Sequence, residues 1–360
     1  MQYVRLRNRH DLEAAVTHSQ AAVEATPEDH PDRARWLGWH AHHLSNRYVR
    51  LGNRYDLEAA VTHSKAAVEV TPEDHPGRAH SLSIYALNLS VRYERFGNLQ
   101  DLEAALTHSK AAVEATPEDH PERAHQLNHH ALHLHSRYLR LEHLQDLEDA
   151  ISQLGAAEEA IPGHDPDKMR PQIAANLGMM LKSQYKQTRN LSDIEAAITQ
   201  SKAALEATPE GHSLRAWMLS NMGACFCCRY EQTKNLQDIE AGIKQTKAEV
   251  EATPDDDPAQ AGRLLNNLGV LLTIRHKHTG NLQDLKTALT VHFDSWSITT
   301  SPIFGRILAA SYIAQIVDFN LLTEDLPRAY SLLCDTIYHL IPQAASRSLE
   351  REDQQHILGR

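Results

Sequence analysis

Three groups of side chains in this sequence could do chemistry. In Asn128-His-His-Ala-Leu-His-Leu-His135, His129 and His133 stand four residues apart, one helical turn, a spacing zinc accepts when further ligands converge. In Cys225-Phe-Cys-Cys228 two thiols have the C-x-x-C spacing of redox and zinc motifs. Arg47-Tyr48, Arg92-Tyr93, Arg137-Tyr138 and Arg229-Tyr230, echoed by Arg275-His276, form a ladder that could read an acidic ligand.

Each has a plainer reading. Six of the 24 histidines are one Thr-His-Ser and one Asp-His-Pro copied three times: His18, His63 and His108, then His30, His75 and His120. Duplication thus explains much of the histidine excess, and aligned copies place Ile84 and Asn221 opposite His129, and Asn88 and Cys225 opposite His133. No metal site is expected. The cysteines have no second pair and no strand-helix context, so Cys225, Cys227 and Cys228 read as packing sulfur, and Cys334 as a buried residue of a late helix. Glu58, Glu103, Glu148 and Glu240 follow the arginines, which predicts a part-buried pair within each hairpin. No nucleophile-base set, phosphate loop or dinucleotide fingerprint is present, so neither a catalytic residue nor a cofactor is expected.

The elements that position these groups come from a repeat. Asp101-Leu-Glu-Ala-Ala-Leu-Thr-His-Ser-Lys110 is nearly restated at Asp11 and Asp56 and, eroded, at Asp146, Asp193, Asp238 and Asp284. The starts lie 45, 45, 45, 47, 45 and 46 residues apart, a period that marks stacked units burying their apolar faces on their neighbours. Within one period, Leu82, Ala86, Leu89 and Tyr93 make one stripe of a helix, here helix A. Gly97-Asn98 supplies a left-handed stop and then a cap. Helix B starts near Asp101 and buries Leu102, Ala105, Leu106, Ser109, Ala112 and Val113. Thr116-Pro117 closes it, and Pro121 leads into the next helix A. No segment reads as a strand.

Leu265-x-x-Leu268-Gly269-x-x-Leu272, Leu219-x-x-Met222-Gly223-x-x-Phe226 and Ala174-x-x-Leu177-Gly178-x-x-Leu181 resemble the tetratricopeptide pattern, with Ala41, Ala86 and Ala131 at the small position of the earlier units. The period is about 11 residues longer than the standard one of about 34, which resembles the long-repeat tetratricopeptide proteins of fungi. The resemblance implies an all-α fold, a right-handed TPR-like superhelical solenoid of helix-turn-helix repeats, with helix A lining the concave side. Residues 1–290 would be about seven repeats, the first truncated, and 291–345 a further helical hairpin. Trp296, Pro302, Arg306, Ala309-Ala310 and Ser346-Arg-Ser-Leu-Glu-Arg-Glu-Asp-Gln-Gln-His356 resemble the connector of fungal proteins that join such repeats to a caspase-like CHAT domain. On that likeness 346–360 would open a helix leading toward an absent CHAT domain, whose catalytic histidine and cysteine match nothing here. Tyr3 to Asn8 aligns with Tyr48 to Asn53, so the first helix A is expected to be incomplete.

Function then points to binding. A non-enzymatic scaffold taking a protein or peptide segment on the concave face is expected. Its candidate contacts are Asn128 and His135 in the third unit, Asn266 in the last, and a neighbouring row of Asn176, Asn221 and Asn267. The alternatives are a regulatory arm of a CHAT-type peptidase and a histidine-rich metal binder. A net charge of −11 without a basic stripe argues against nucleic acid. No apolar run approaches the length of about 18 that spans a bilayer, and no leader pattern opens the chain, so a cytoplasmic protein without a membrane partner is expected.

Overall fold

A computed structural model describes residues 9–161, 169–210, 212, 214–253, 258–298, 303–318 and 326–342. All regular structure among them is helical. The first compact unit holds α1 (Arg9–Ala25), α2 (Arg33–Leu51), α3 (Arg54–Val70), α4 (Arg78–Phe96), α5 (Leu99–Glu114), α6 (Arg123–Leu141) and α7 (Leu144–Glu159). The second, from Pro171, holds α8 (Met169–Thr188), α9 (Leu191–Glu206), α10 (Arg215–Thr233), α11 (Leu236–Ala252), α12 (Pro258–Thr279), α13 (Leu282–Ser297), α14 (Ile303–Asp318) and α15 (Leu326–Asp335), which runs into a π-turn, Thr336–Leu340. The division falls in the fourth repeat, within the stretch that carries its two extra residues. The first helix A expected to be incomplete and the 346–360 segment both fall outside the described residues.

Within each unit, helices pair in chain order. The even-numbered helices α2 to α12 are A helices and the odd-numbered ones B helices, so the all-α array of helix-turn-helix repeats expected from the period is present. The hairpin turn is built as the sequence indicates. Gly97 takes φ 71°, its N–H returns to the Tyr93 carbonyl at 2.7 Å, and the Asn98 side chain accepts from the Gln100 N–H at 3.0 Å. Asn53, Asn190, Asn235 and Asn281 cap α3, α9, α11 and α13 in the same way.

In the third hairpin Glu142 stands where Gly97 does, forced to φ 57°. A left-handed conformation costs a side-chain-bearing residue roughly 1 to 2 kcal/mol, and glycine's extra chain entropy cancels part of that. Glu142→Gly should therefore stabilise the chain by about 0.5 to 1 kcal/mol. A higher urea midpoint at unchanged slope is the expected result.

The turn between hairpins uses a device built on one arginine. Arg78, the first residue of α4, donates from one Nη1 to the carbonyls of Val68 and Thr71, both at 2.6 Å, and so caps the free C-terminus of α3. Arg33, Arg123 and Arg215 do the same for α1, α5 and α9. The intervening His75 accepts from the Gly77 N–H at 2.9 Å, and His30, His120 and His212 hold the same position. The copied Asp-His-Pro histidines are thus turn-forming acceptors.

The core runs between these pairs as small clusters, each drawn from successive helices. Val16, Leu44 and Ala60 join α1, α2 and α3, while Tyr48, Leu57, Val61, Leu89 and Ala105 join α2 to α5. Burying a leucine such as Leu89 contributes about 2 kcal/mol, and it is shared across hairpins. In the second unit Ile239, Leu268, Leu285 and Ile313 carry the core from α11 to α14. The closing hairpin is tied to α13 by the Trp296 indole N–H, which donates to Thr336 Oγ1 at 2.9 Å.

Candidate functional site

The arginine ladder is an internal brace. Each guanidinium grips an aspartate nine residues on, the third residue of the following B helix. Arg47 donates to Asp56 at 2.7 and 2.6 Å, and Arg92, Arg137, Arg229 and Arg275 repeat this with Asp101, Asp146, Asp238 and Asp284. The aspartate hydrogen bonds hold these guanidinium groups charged above even their ordinary range. Two of the glutamates expected as partners within their own hairpin are instead reached from the next one: Arg92 donates to Glu58 at 3.3 Å, and Arg137 to Glu103 at 3.0 Å. Glu58 and Glu103 lie two residues beyond the aspartate, about 200° around the helix, and face the following repeat. With their forks engaged, these arginines are not a reader of acidic ligands.

Burial packs His63, His108 and His130 and pushes each toward its neutral form, while the copied His18, His30, His75 and His120 are exposed. His130 shares a hydrogen bond with Ser109 Oγ at 2.9 Å, His108 lies against Tyr85 with ring centroids 4.7 Å apart, and His63 lies against His40 at 4.9 Å. Burial pushes His129 down to about 4 and His133 to about 3. Among the described residues no three His, Cys, Asp or Glu side chains converge as a metal site would need.

The cysteines are equally quiet. Cys225 is fully buried, and burial pushes its thiol up to about 11 and that of Cys227 to about 12, so neither offers a thiolate near neutrality. Cys334, expected on the buried face of its helix, is exposed. Ala329, Leu332 and Thr336 take that face instead.

The A helices present one row away from their B partners. Successive A helices touch along it: Ser83 Oγ lies 3.4 Å from His129 Nδ1, the Trp39 and His80 rings are 6.3 Å apart, and Ser220 Oγ donates to Asn267 Oδ1 at 3.2 Å. Of the six expected contact residues, Asn128, His135, Asn176 and Asn266 are buried, and Asn221 and Asn267 are half-buried. Asn266 belongs to an internal network. Its amide N–H donates to the Gly305 carbonyl at 3.0 Å, and its Oδ1 lies 3.1 Å from His292 Nδ1. His135 stacks on Tyr138. The more open row is displaced by one residue from Asn128 and His135: it runs through His129, Leu132 and Ser136 in α6, and through Trp39, His42 and Asn46 in α2. Crowding by the adjacent A helix covers the position before it, as at Gly38, where a Cβ would stand 3.3 Å from Ile84 Cδ1.

Asn221 and Asn267 occupy the same register position as His129, on α10 and α12, and neither side-chain amide nitrogen has a hydrogen-bond partner. Between its first and second arginine each of α4, α6 and α10 carries no charged side chain, over residues 79–91, 124–136 and 216–228. The row is therefore neutral, part apolar and part amide or imidazole. No helix of the described residues is long and apolar enough to cross a membrane.

No family model matches the chain, and no curated protein matches it. Among solved structures that match, the crystal structure of yeast Tom70 aligns with 92% of this chain and 62% of its own, at 11% identity and a TM-score of 0.47. This chain thus spans less than two thirds of that one's length, and the fold assignment rests on the order and pairing of the helices themselves.

Proposed function

We propose that the chain is a non-enzymatic interaction scaffold that holds an extended protein segment against its A-helix row. The observation that carries this reading is the pair Asn221 and Asn267, half-buried on adjacent A helices, whose amide nitrogens are covered and unpartnered and would turn outward to meet a ligand. Buried donors are normally satisfied, and a row of amides is suited to the carbonyls of an extended backbone. Val270, on the same helix as Asn267, would supply the apolar contact in the second unit, and Leu132 an apolar position in the first. Asn128, Asn176, Asn266 and His135 would shape the row from behind.

The test is an array of unstructured peptides probed with the whole chain. A net hydrogen bond contributes about 0.5 to 1.5 kcal/mol, so losing two should weaken a bound peptide roughly tenfold. Asn221→Ala with Asn267→Ala is expected to do this at unchanged helicity, while Thr199→Ala on the exposed side of α9 leaves affinity intact. Equal binding by the double variant would place the site elsewhere.

Trp296 and Arg306 favour the CHAT-linked reading of the same scaffold. Their side chains form one clasp, with the guanidinium carbon 4.9 Å from the ring centroid and Nε donating to the Trp296 carbonyl at 2.8 Å. We read the chain as the repeat arm of such a protein, acting in the cytoplasm on protein partners and not on nucleic acid or membrane. A native transcript with no His/Cys peptidase domain would overturn that extension and leave the scaffold reading standing.

A further inference from the structure

The open row of the second unit has an unequal supply of hydrogen-bonding groups. Asn221 of α10 and Asn267 of α12 hold the same register position on neighbouring A helices, and the covered groups that lack a partner on them are both amide nitrogens. The other half of the Asn267 amide is engaged, since its Oδ1 takes the Ser220 hydroxyl at 3.2 Å. Further along α12 the Thr273 hydroxyl is spent on the Gly269 carbonyl at 2.8 Å. An ordinary extended chain alternates N–H and carbonyl groups, so against a pair of donors half of its own groups would face nothing. A run of prolines carries carbonyls and no N–H. It is the complement of a row whose unpaired groups are donors.

Spacing points the same way. Ser220 bonds Asn267 directly, so α10 and α12 are in contact, and helices in contact lie about 8 to 10 Å apart. Two donors in equivalent places on them are therefore separated by about that distance. In a β-strand like-facing residues recur at roughly 6.6 to 6.8 Å, which falls short, and in an α-helix the carbonyls are already bonded. In polyproline II every third residue returns to the same side, after about 9 Å, with its carbonyl open to a donor. The walls of the row also suit such a segment. Residues 216–228 and 264–274 carry no charged side chain. Trp217 stands half-buried one turn before Asn221, with Ala224 one turn after it, and Val270 follows Asn267. An indole is a surface on which pyrrolidine rings pack.

We propose that the segment taken by the second unit is a proline-rich stretch in the polyproline II conformation, laid across α10 and α12 with three residues per A helix. Asn221 and Asn267 turn outward and each donates to one carbonyl, three residues apart, while a ring between them packs toward Trp217 and Val270. This rests on the scaffold reading and names the chemistry of its partner. Because polyproline II is already formed in the free segment, little ordering opposes its binding.

Fluorescence anisotropy with the whole chain tests this, using labelled peptides of ten prolines, of a Gly-Ser repeat and of a Thr-Ser repeat of equal length. The proline peptide should bind roughly tenfold or more tightly than either of the others. Asn267→Asp keeps an oxygen for Ser220 and replaces the unpaired donor by an acceptor, so it should weaken the proline peptide roughly tenfold. Asn221→Ala should weaken it roughly threefold, and carries the test alone if Asn267→Asp loses helicity. Equal or tighter binding of the proline-free peptides, still weakened by these variants, would overturn the proline assignment and leave the scaffold reading standing. Binding of none of the peptides, or binding that neither folded variant changes, would overturn both.

Discussion

Gly269→Ala should destabilise the second unit by about 3 kcal/mol or more, while the same change at Gly223 should be close to neutral. Both glycines fill the small position of an A helix, and the sequence alone makes them equivalent. A Cβ on Gly269 would overlap His292 Nε2 and stand 2.5 Å from its Cε1, whereas one on Gly223 would meet nothing nearer than Leu271 Cδ1 at 3.9 Å. His292 cannot retreat, since it is fully buried, stacked on Tyr312 with centroids 4.9 Å apart, and bonded to Asn266. Overpacking alone costs about 1 to 3 kcal/mol, and displacing the imidazole breaks a buried hydrogen bond worth a further 1 to 3. At Gly223 the helical preference of alanine over glycine, about 0.5 to 1 kcal/mol, is free to act in the stabilising direction. Denaturant midpoints of the two variants decide the matter. A double variant, Gly269→Ala with His292→Ala, should recover part of the loss, because the clash is with one ring. Equal effects at both glycines would mean that the α12 to α13 contact is not as close as described.

That contrast marks the boundary of what the residues reveal. Periodicity is local information, so the Leu82, Ala86 and Leu89 stripe, the Gly97 stop and the Asn98 cap were all legible and are all present. Contacts between helices are not local. The ladder of arginines could be seen, yet its partner could not be told from spacing: Asp101 and Glu103 both follow Arg92 closely, and only the rotation of α5 decides that Asp101 faces back while Glu103 faces Arg137. The C-terminal clamp of Arg33, Arg78, Arg123 and Arg215 went unread although it had a signal. Each arginine lies seven residues after a threonine whose carbonyl it binds, in Thr26, Thr71, Thr116 and Thr208. Of the expected contact residues, Asn128, His135 and Asn266 are covered while Asn221 and Asn267 stand half-buried in the more open row, for a related reason. A helix wheel shows which side is polar, but the neighbouring A helix decides which polar positions it covers.

Arg137→Met should cost about 2 to 4 kcal/mol, against at most a few tenths for Lys110→Met. Both remove one half of an ion pair, and the difference lies in what is left behind. The Arg137 fork binds Asp146 at 2.8 and 2.6 Å, with the aspartate side chain 6% exposed and the arginine 27%. Without the guanidinium that carboxylate stays buried and uncompensated, apart from the positive end of α7, which recovers only part of the loss. The partial exposure of the arginine holds the estimate below the value of a fully buried pair. Lys110 and Glu114 are 3.9 Å apart and more than 60% exposed, so water solvates whichever remains. The second arm, from Arg137 to Glu103 at 3.0 Å, joins α6 to the preceding hairpin, with Glu103 45% exposed and open to screening by salt. Replacing the buried pair outright, as Arg137→Met with Asp146→Leu, should return most of the stability, since no charge is stranded. Hydrogen exchange should then show faster opening confined to the α5 to α6 contact, where the Glu103 arm is also gone. A double variant no more stable than Arg137→Met would mean that the brace acts through its geometry and not through the stranded charge.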